Sequence, residues 1–429
     1  MNTKSIAKVN DHDAASSAST HALGWMFFGN VVGVLLASLL LFPKLGLLFG
    51  EWTYGRWVPL HLNLHLYGWV SMPLIGALFY TYRVHETSVK NFARPVVWLW
   101  SMALVIGCGA WLSGVSSGKI FLDWWGMACV LFIVVMTVLW VLLAVAWWQR
   151  RSEAGNRLRV LGLLALLPVP VMLYLATRPD LYPPVNPDTG GPTGASLLGS
   201  TLSILFLLLI LPMMCRCQKL DGRGRWMKLC WIGFGAEVLF VVLMKQGNSS
   251  HREMQQILGL GSLMIWIPLM PLYLKSWQWR AGVTGWLHAT LAWLLLLIVT
   301  GWMTFLPGWL DHLKFTNGLV AHSHLAMAGF CSGFLMLLMG QVLPENYSRI
   351  LCLKREFSLW QSAVVGYVLL MWFSGWKEGN DASFVIMRGQ DQGDGLVKIY
   401  SLRLLCGLVM LWASFRWWTG FIQQGNHES

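Results

Sequence analysis

Histidines in two apolar stretches are the residues of this sequence best placed to do chemistry. His61 and His65 lie in "PLHLNLHLYGWVSMPLIGALF", and His322 and His324 lie in "KFTNGLVAHSHLAMAGF". An ionisable side chain inside a membrane is costly and marks a functional site by default, and neutral imidazole is a standard nitrogen ligand for haem iron. The pattern therefore indicates a haem site, although a single histidine on an apolar helix is more often only hydrogen-bonded to a neighbouring helix.

The spacing of the histidines separates their roles. The two rings of the H-x-H diverge by about 200° around a helix, so they face different neighbours and do not easily share one metal. One of them can meet a ring from the other stretch across a porphyrin, while its partner points into a second compartment, where a five-coordinate haem would leave a site for chemistry. His65 lies about 40° round and about 6 Å deeper than His61. Three roles remain open for His65: a partner of a haem propionate, a hydrogen-bond donor to a ligand, or an alternative ligand of the iron.

The elements that must position these residues are membrane-spanning helices. Of the 429 residues 56% are apolar and 12% are charged, against roughly 45 to 50% and 25% in soluble domains. Apolar runs long enough to cross a core of roughly 30 Å recur along the chain, so we predict an all-α membrane protein with twelve transmembrane helices and find no internal repeat of the transporter kind. The predicted spans lie near residues 23 to 48, 60 to 83, 95 to 114, 125 to 147, 158 to 177, 196 to 214, 227 to 244, 254 to 274, 284 to 304, 317 to 341, 357 to 375 and 397 to 420.

The charge pattern predicts the orientation of the spans. The formal charge is +12, but Lys and Arg cluster in alternate loops, as the positive-inside rule expects, so the charge indicates topology and no nucleic-acid partner. We predict a multi-pass protein of a bacterial-type inner membrane with both termini cytoplasmic. Residues 1 to 22 are predicted to be a disordered tail, 23 to 420 a single haem-binding transmembrane domain and 421 to 429 a second tail. His61, His322 and His324 then share one depth in the outer third of the membrane.

Four further groups are weaker candidates. Arg403, at the outer entry of span 12, either neutralises haem carboxylates or snorkels to the interface. Glu237, in the middle of span 7, is either part of a proton path or a protonated group bonded to a neighbouring helix. His251 is either a solvated loop residue or a neighbour of a haem edge. Cys215 and Cys217 form a C-x-C, for which a reduced thiol pair is the plainer interpretation than a metal site.

The pattern of spans and histidines resembles the catalytic subunit of the haem-copper oxidases, particularly the cbb-type oxygen reductases and their nitric oxide reductase relatives. The similarity rests on twelve spans, one histidine early in span 2, "KFTNGLVAHSHLAMAGF" in span 10 and the Tyr-x-x-Arg entry to span 12. The resemblance implies that His61 and His324 are the axial ligands of a low-spin haem b. It also implies that His322 is the proximal ligand of a high-spin haem, and that Arg403 belongs to the propionate-binding region.

The sequence departs from that family where the family binds copper. The family's histidine in span 6 falls near Ser200, and its histidine pair after span 7 falls among Asn248, Ser249 and Ser250, with His251 nearby. No candidate for the family's cross-linked tyrosine occurs in "GFGAEVLFVVLMK". Because hydroxyl groups are poor ligands for copper, we predict that copper is absent and that a non-haem iron site fails for the same reason.

Three functions compete on these grounds. The first is an electron-transfer subunit with one or two b-type haems, working with c-type cytochrome or other membrane subunits of a respiratory complex, or with quinone. The second is an active terminal oxidase or reductase of oxygen or nitric oxide, whose atypical second metal is held by groups such as His251 and Glu237. The third is a scaffold subunit without redox centres. Metal analysis separates the second from the first, and a haem spectrum separates the third.

Overall fold

The fold of the chain is all-helical in the computed structural model, which describes residues 13–119, 122–153, 155–181, 197–244, 253–313, 316–381 and 394–428. Within these ranges there is no β-strand beyond one isolated bridge between Lys219 and Trp277. Twelve long helices, one for each predicted span, run through the described residues. They are α1 Asp13–Leu41, α2 Tyr54–Thr81, α3 Lys90–Leu112, α4 Gly126–Gln149, α5 Asn156–Thr177, α6 Leu197–Met214, α7 Gly224–Leu243, α8 Met254–Leu274, α9 Thr284–Met303, α10 Asn317–Val342, α11 Lys354–Asn380 and α12 Asp394–Glu428.

Short helices connect some of the long ones, and α5 and α8 are each built of two shorter α-helices. Eleven of the twelve are long and apolar enough to cross a membrane, and the described part of α6 contributes a shorter apolar helix, Thr201–Met214. The prediction of an all-α membrane protein is therefore confirmed. The connecting helices are Pro43–Phe49, Val84–Glu86, Ala281–Val283, Trp309–Leu313 and Glu345–Leu351.

The ends of several helices differ from the predicted spans, among them those of α1, α11 and α12. Helix α1 begins at Asp13, so residues 13 to 22 are helical and do not form a disordered tail, and His21 lies in this helix, where its Nδ1 is 2.7 Å from Ser101 Oγ. Helix α11 continues to Asn380 and α12 to Glu428, past the predicted limits of 375 and 420. Small side chains at Ala15, Ala18 and Ala22 are buried against other helices, which extends α1 into a stretch of sequence that hydropathy alone assigned to a polar tail.

Two compact units divide the chain where we predicted one domain. One consists of Met1–Pro184, Leu338–Glu356 and Met410–Ser429, and the other of Val185–Leu337 and Phe357–Val409. We refer to them as the first and the second unit. His61 and His65 belong to the first unit, and His322, His324 and Arg403 belong to the second.

In the first unit, α1 and α2 approach closely along a glycine seam. A Cβ added to Gly33 would lie 2.8 Å from the His61 ring, and one added to Gly29 would lie 2.8 Å from the His65 ring. Gly29 and Gly33 form a G-x-x-x-G, and the two histidines have the same four-residue spacing on α2. Because small residues let membrane helices approach to van der Waals contact, this seam holds both imidazoles between α1 and α2.

Each unit has a π-helical turn in its histidine-bearing helix, and in α2 this turn includes His65. In α2 it covers Leu64–Val70, and in α10 it covers Leu325–Cys331. Each begins three residues after a histidine, His61 or His322, and ends before a serine whose hydroxyl donates to the carbonyl five residues earlier, at 2.9 Å for Ser71 and 3.0 Å for Ser332. Since π turns inside α-helices occur frequently at functional sites, their matching positions support a functional role for both histidine segments.

In the second unit, α10 and α11 meet backbone to backbone. A Cβ added to Gly375 of α11 would lie 2.0 Å from the backbone nitrogen of Gly318, and one added to Gly379 would lie 1.9 Å from the His312 carbonyl oxygen. Gly375 and Gly379 form a second G-x-x-x-G. This contact fixes the start of α10, the helix that carries His322 and His324.

Candidate haem-binding residues

The His61 ring is oriented by the backbone of α1. Its Nδ1 lies 2.8 Å from the carbonyl oxygen of Gly29. A carbonyl oxygen only accepts, so Nδ1 donates and carries the ring proton, which leaves the lone pair of the neutral ring on Nε2. A metal-ligating histidine almost always donates its other ring N–H in this way, because the bond fixes tautomer and orientation.

His65 is packed differently from His61, although both lie against α1. The two rings make an edge-to-face contact with centroids 4.8 Å apart. The Nε2 atom of His65 is the ring atom closest to Gly29, 2.8 Å from the position of an added Cβ. The backbone of α1 therefore covers the nitrogen that would bind iron, and of the roles left open by the sequence this packing favours that of a neighbour supporting His61.

His324 lies in the second unit with its Nδ1 2.9 Å from the Val320 carbonyl oxygen, one turn earlier in α10. By the same argument Nδ1 is the protonated nitrogen and Nε2 holds the lone pair. The ring stacks on Tyr367 of α11, with centroids 4.2 Å apart and planes at 26°. A backbone bond and an aromatic stack together restrict the rotation of this imidazole.

His322 faces α9 on another side of α10. Its Nδ1 lies 3.4 Å from Thr300 Oγ1, and that hydroxyl donates its own hydrogen to the Leu296 carbonyl oxygen at 2.7 Å. Thr300 therefore accepts from Nδ1–H of His322, and Nε2 again keeps the lone pair. The divergence of the two H-x-H rings predicted from helical geometry is present, since one contacts α9 and the other contacts α11.

A Thr300→Val variant tests the contact between Thr300 and His322. Valine keeps the shape of threonine and removes the acceptor, so the His322 ring loses the group that fixes its tautomer. Loss of such a partner typically weakens metal binding by about 10- to 100-fold. We expect the affinity of the His322 site for haem to fall by this factor, measured as the haem retained by the protein in a dilution series. An unchanged haem occupancy would show that Thr300 does not orient the ring.

Arg403 is buried in a polar network that the sequence did not reveal. Its Nη1 donates to Asn317 Oδ1 at 3.2 Å, and its guanidinium lies 5.4 Å from the Tyr367 ring centroid. Asn317 in turn bonds to Glu378, with which Ser374 also pairs. Arg403 and Glu378 are each 8% exposed. Interfacial snorkelling, the alternative considered for Arg403, requires an exposed head group and does not fit this burial.

Glu378 was not among the predicted site residues because span 11 was predicted to end at residue 375. Glu378 was therefore assigned to a polar outer loop, in "WKEGN". The signal that could have found it is the G-x-x-x-G of Gly375 and Gly379. This motif is typical of a packed membrane helix, and Glu378 lies between its two glycines in the sequence.

The remaining candidates do not form a metal cluster in the described residues. No group of three or more His, Cys, Asp or Glu side chains there is arranged to hold a metal ion. Glu237 is buried in α7 and is bonded to Ser262 Oγ at 2.8 Å, a contact that fits the structural alternative for this residue. His251, Asn248, Ser249 and Ser250 lie outside the described residues, as does the side chain of Ser200.

The C-x-C of Cys215 and Cys217 follows α6 directly, and both thiols are free. Burial raises the pKa of the Cys215 thiol. A hydrogen bond from Cys215, assisted by the Arg280 guanidinium, lowers the pKa of the Cys217 thiol in spite of its partial burial. Because the thiolate is the nucleophile, Cys217 is the more reactive of the two.

Alkylation of the purified protein at a series of pH values tests this difference. Iodoacetamide is expected to label Cys217 at a lower pH than Cys215, and an Arg280→Gln variant is expected to move the labelling of Cys217 to higher pH. Peptide mass spectrometry measures both. Equal labelling curves for the two cysteines would show that the neighbouring thiol and Arg280 do not stabilise the thiolate.

Comparison with known proteins gives one partial similarity. No family model matches the chain. An alignment over 133 residues is 29% identical to "Cytochrome c oxidase subunit 1" of Rhodobacter capsulatus, and it covers 29% of the present chain. The chain thus covers about a quarter, 24%, of the length of that relative. Together with the membrane-helical bundle, this similarity supports a membrane subunit of the oxidase type.

Proposed function

We propose that the protein is a haem-binding electron-transfer subunit of a respiratory membrane complex. The observation that carries the proposal is the hydrogen bonding of two histidines, because Nδ1 of His61 and Nδ1 of His324 each donate to a backbone carbonyl oxygen. Such rings present a lone pair on Nε2, as an axial ligand of haem iron must. His61 and His324 would hold a low-spin haem b, and His322 would bind the iron of a second haem.

The position of the histidines along their helices agrees with this assignment. His61 comes seven residues after the first residue of α2, and His324 comes seven residues after the first residue of α10. If both helices enter the membrane from the outer side, as the positive-inside rule predicts, the two rings share one depth. The seam of α1 and the ring of Tyr367 would keep them in the orientation needed for ligation.

Haem bound at these residues would supply reversible one-electron transfer. The chain's own groups would fix its iron and its carboxylates. His61 and His324 would be the ligands of the iron, and the buried guanidinium of Arg403 would neutralise propionates through charge-assisted hydrogen bonds. The apolar helices would exclude water, which strengthens those interactions.

The membrane, orientation and partners of this subunit are proposed from the same sequence features. We propose that it lies in a bacterial-type inner membrane with both termini in the cytoplasm, because the basic loops alternate along the chain. A c-type cytochrome or quinone would be the redox partner, and other membrane subunits would complete the complex. The similarity to an oxidase subunit supports a multi-subunit assembly of this kind.

Quantification of pyridine haemochrome together with elemental analysis of the isolated protein tests the proposal. We expect one or two b-type haems per chain and no stoichiometric copper or non-haem iron beyond the haem. About one copper or non-haem iron per chain would favour the terminal oxidase or reductase instead. Absence of haem would leave only the scaffold function.

A further inference from the structure

The start of helix α10 is held by the carboxylate of Glu378, which belongs to α11. Glu378 Oε2 accepts from the backbone N–H of Asn317 at 2.8 Å, and Oε1 accepts from Asn317 Nδ2 and, at 3.1 Å, from Ser374 Oγ. The first N–H groups of a helix have no partner within the helix and attract negative charge. Glu378 therefore caps the helix that carries both histidines of the H-x-H.

The Asn317 side chain joins this carboxylate to Arg403. Its Oδ1 accepts from the donor-only guanidinium at 3.2 Å, while its Nδ2 donates to the carboxylate of Glu378. Both ends of the amide thus have a partner of the required kind, which defines its orientation. Asn317 is 5% and Ser374 0% exposed, so the opposite charges of Glu378 and Arg403 are balanced inside the protein through one amide.

The network reaches the histidine through an aromatic ring. Arg403 Cζ lies 5.4 Å from the centroid of Tyr367, and the same ring stacks on His324 at 4.2 Å. A displacement of the guanidinium or of the start of α10 would therefore move groups in contact with the imidazole. Because the interior of a membrane domain screens charge weakly, both charges of the network act on an iron bound at His324.

We propose that Glu378 is a positioning residue that aligns Arg403 and the N-terminus of α10, and that the pair of charges Glu378 and Arg403 sets the reduction potential of the haem at His324. This inference rests on the proposed haem ligation by His324. Its physical basis is electrostatic: a buried negative charge disfavours the arrival of an electron, and a buried positive charge favours it.

Spectroelectrochemical titration of the purified full-length protein tests the inference with variants of opposite sign. Glu378→Gln leaves the charge of Arg403 unbalanced and is expected to raise the haem potential. Arg403→Gln leaves the carboxylate unbalanced and is expected to lower it. Lys377→Gln, which removes a charge from the exposed side chain next to Glu378, is the matched control and is expected to leave the potential unchanged.

A charge-exchange variant keeps the test decisive if Glu378→Gln does not assemble. In Asn317→Asp combined with Glu378→Gln, the carboxylate moves to position 317 and still pairs with Arg403, while the amide at 378 can donate back to it. We expect this variant to assemble and to have a potential nearer the wild-type value. Shifts of the same sign in the two single variants, no shift in either, or failure of the exchange variant to assemble would overturn the inference. A wild-type protein without a haem spectrum would instead refute the proposed function.

Discussion

A His324→Ala variant is expected to lose the low-spin haem spectrum, with a fall of at least tenfold in the b-type α-band per protein. The variant removes an axial ligand outright, and no other side chain on that face of α10 carries a ring nitrogen. Reduced-minus-oxidised difference spectra of the purified protein measure the effect. Added imidazole is expected to restore part of the band, because the small ligand can occupy the space of the deleted ring.

The matched control for His324 is another histidine of the second unit. His288 lies in α9 with an exposed side chain, so His288→Ala removes an imidazole without touching the proposed site. The spectrum of this control should equal that of the wild type. A normal α-band in His324→Ala, or an equal loss in both variants, would show that His324 does not bind the haem.

A Gly375→Ala variant is expected to destabilise the second unit by about 3 kcal/mol or more, since the new methyl group cannot be accommodated without separating α10 from α11. An added Cβ would lie 2.0 Å from the Gly318 nitrogen and 2.5 Å from its Cα, and neither backbone atom can rotate away. The separation would also pull Glu378 from Asn317. The change in stability is measured in detergent as the temperature at which the protein loses its haem, which is monitored by absorbance.

The control for Gly375 is a helical glycine with open space around it. An added Cβ at Gly235 of α7 meets no atom within 4 Å. Gly235→Ala is therefore expected to be neutral or to stabilise the helix by up to about 1 kcal/mol, because alanine loses less backbone entropy on folding than glycine does. Equal stability of the two variants would contradict the close approach of α10 and α11.

Hydropathy predicted the helices well. An apolar segment of this length must satisfy its backbone hydrogen bonds within lipid, and the helix is the usual structure that does so. Hydropathy misplaced the ends of α1, α11 and α12, where the chain stays helical beyond the apolar run. At α1 the cause is burial of alanines, and at α11 it is the glycine contact with α10. Tertiary packing of this kind leaves no trace in a local average of hydropathy.

The histidines were found from sequence because imidazoles are rare inside predicted spans, but their ring orientations were not. The bond from His61 to Gly29 joins residues that lie 32 positions apart, and the stack of His324 on Tyr367 depends on the packing of α11 against α10. Glu378, Asn317 and Tyr367 are ordinary residues in sequence. They become a network only because the fold brings three helices together at the start of α10.

We propose that the imidazoles of His61 and His324 bind one haem iron. Near-infrared magnetic circular dichroism of the oxidised protein tests it most directly, because the ligand-to-metal charge-transfer band of low-spin haem depends on the identity of both axial ligands. We predict the band of a bis-histidine haem in the wild type and its loss in either His61→Ala or His324→Ala. A band of another ligand pair, or a bis-histidine band that survives both substitutions, would contradict the assignment.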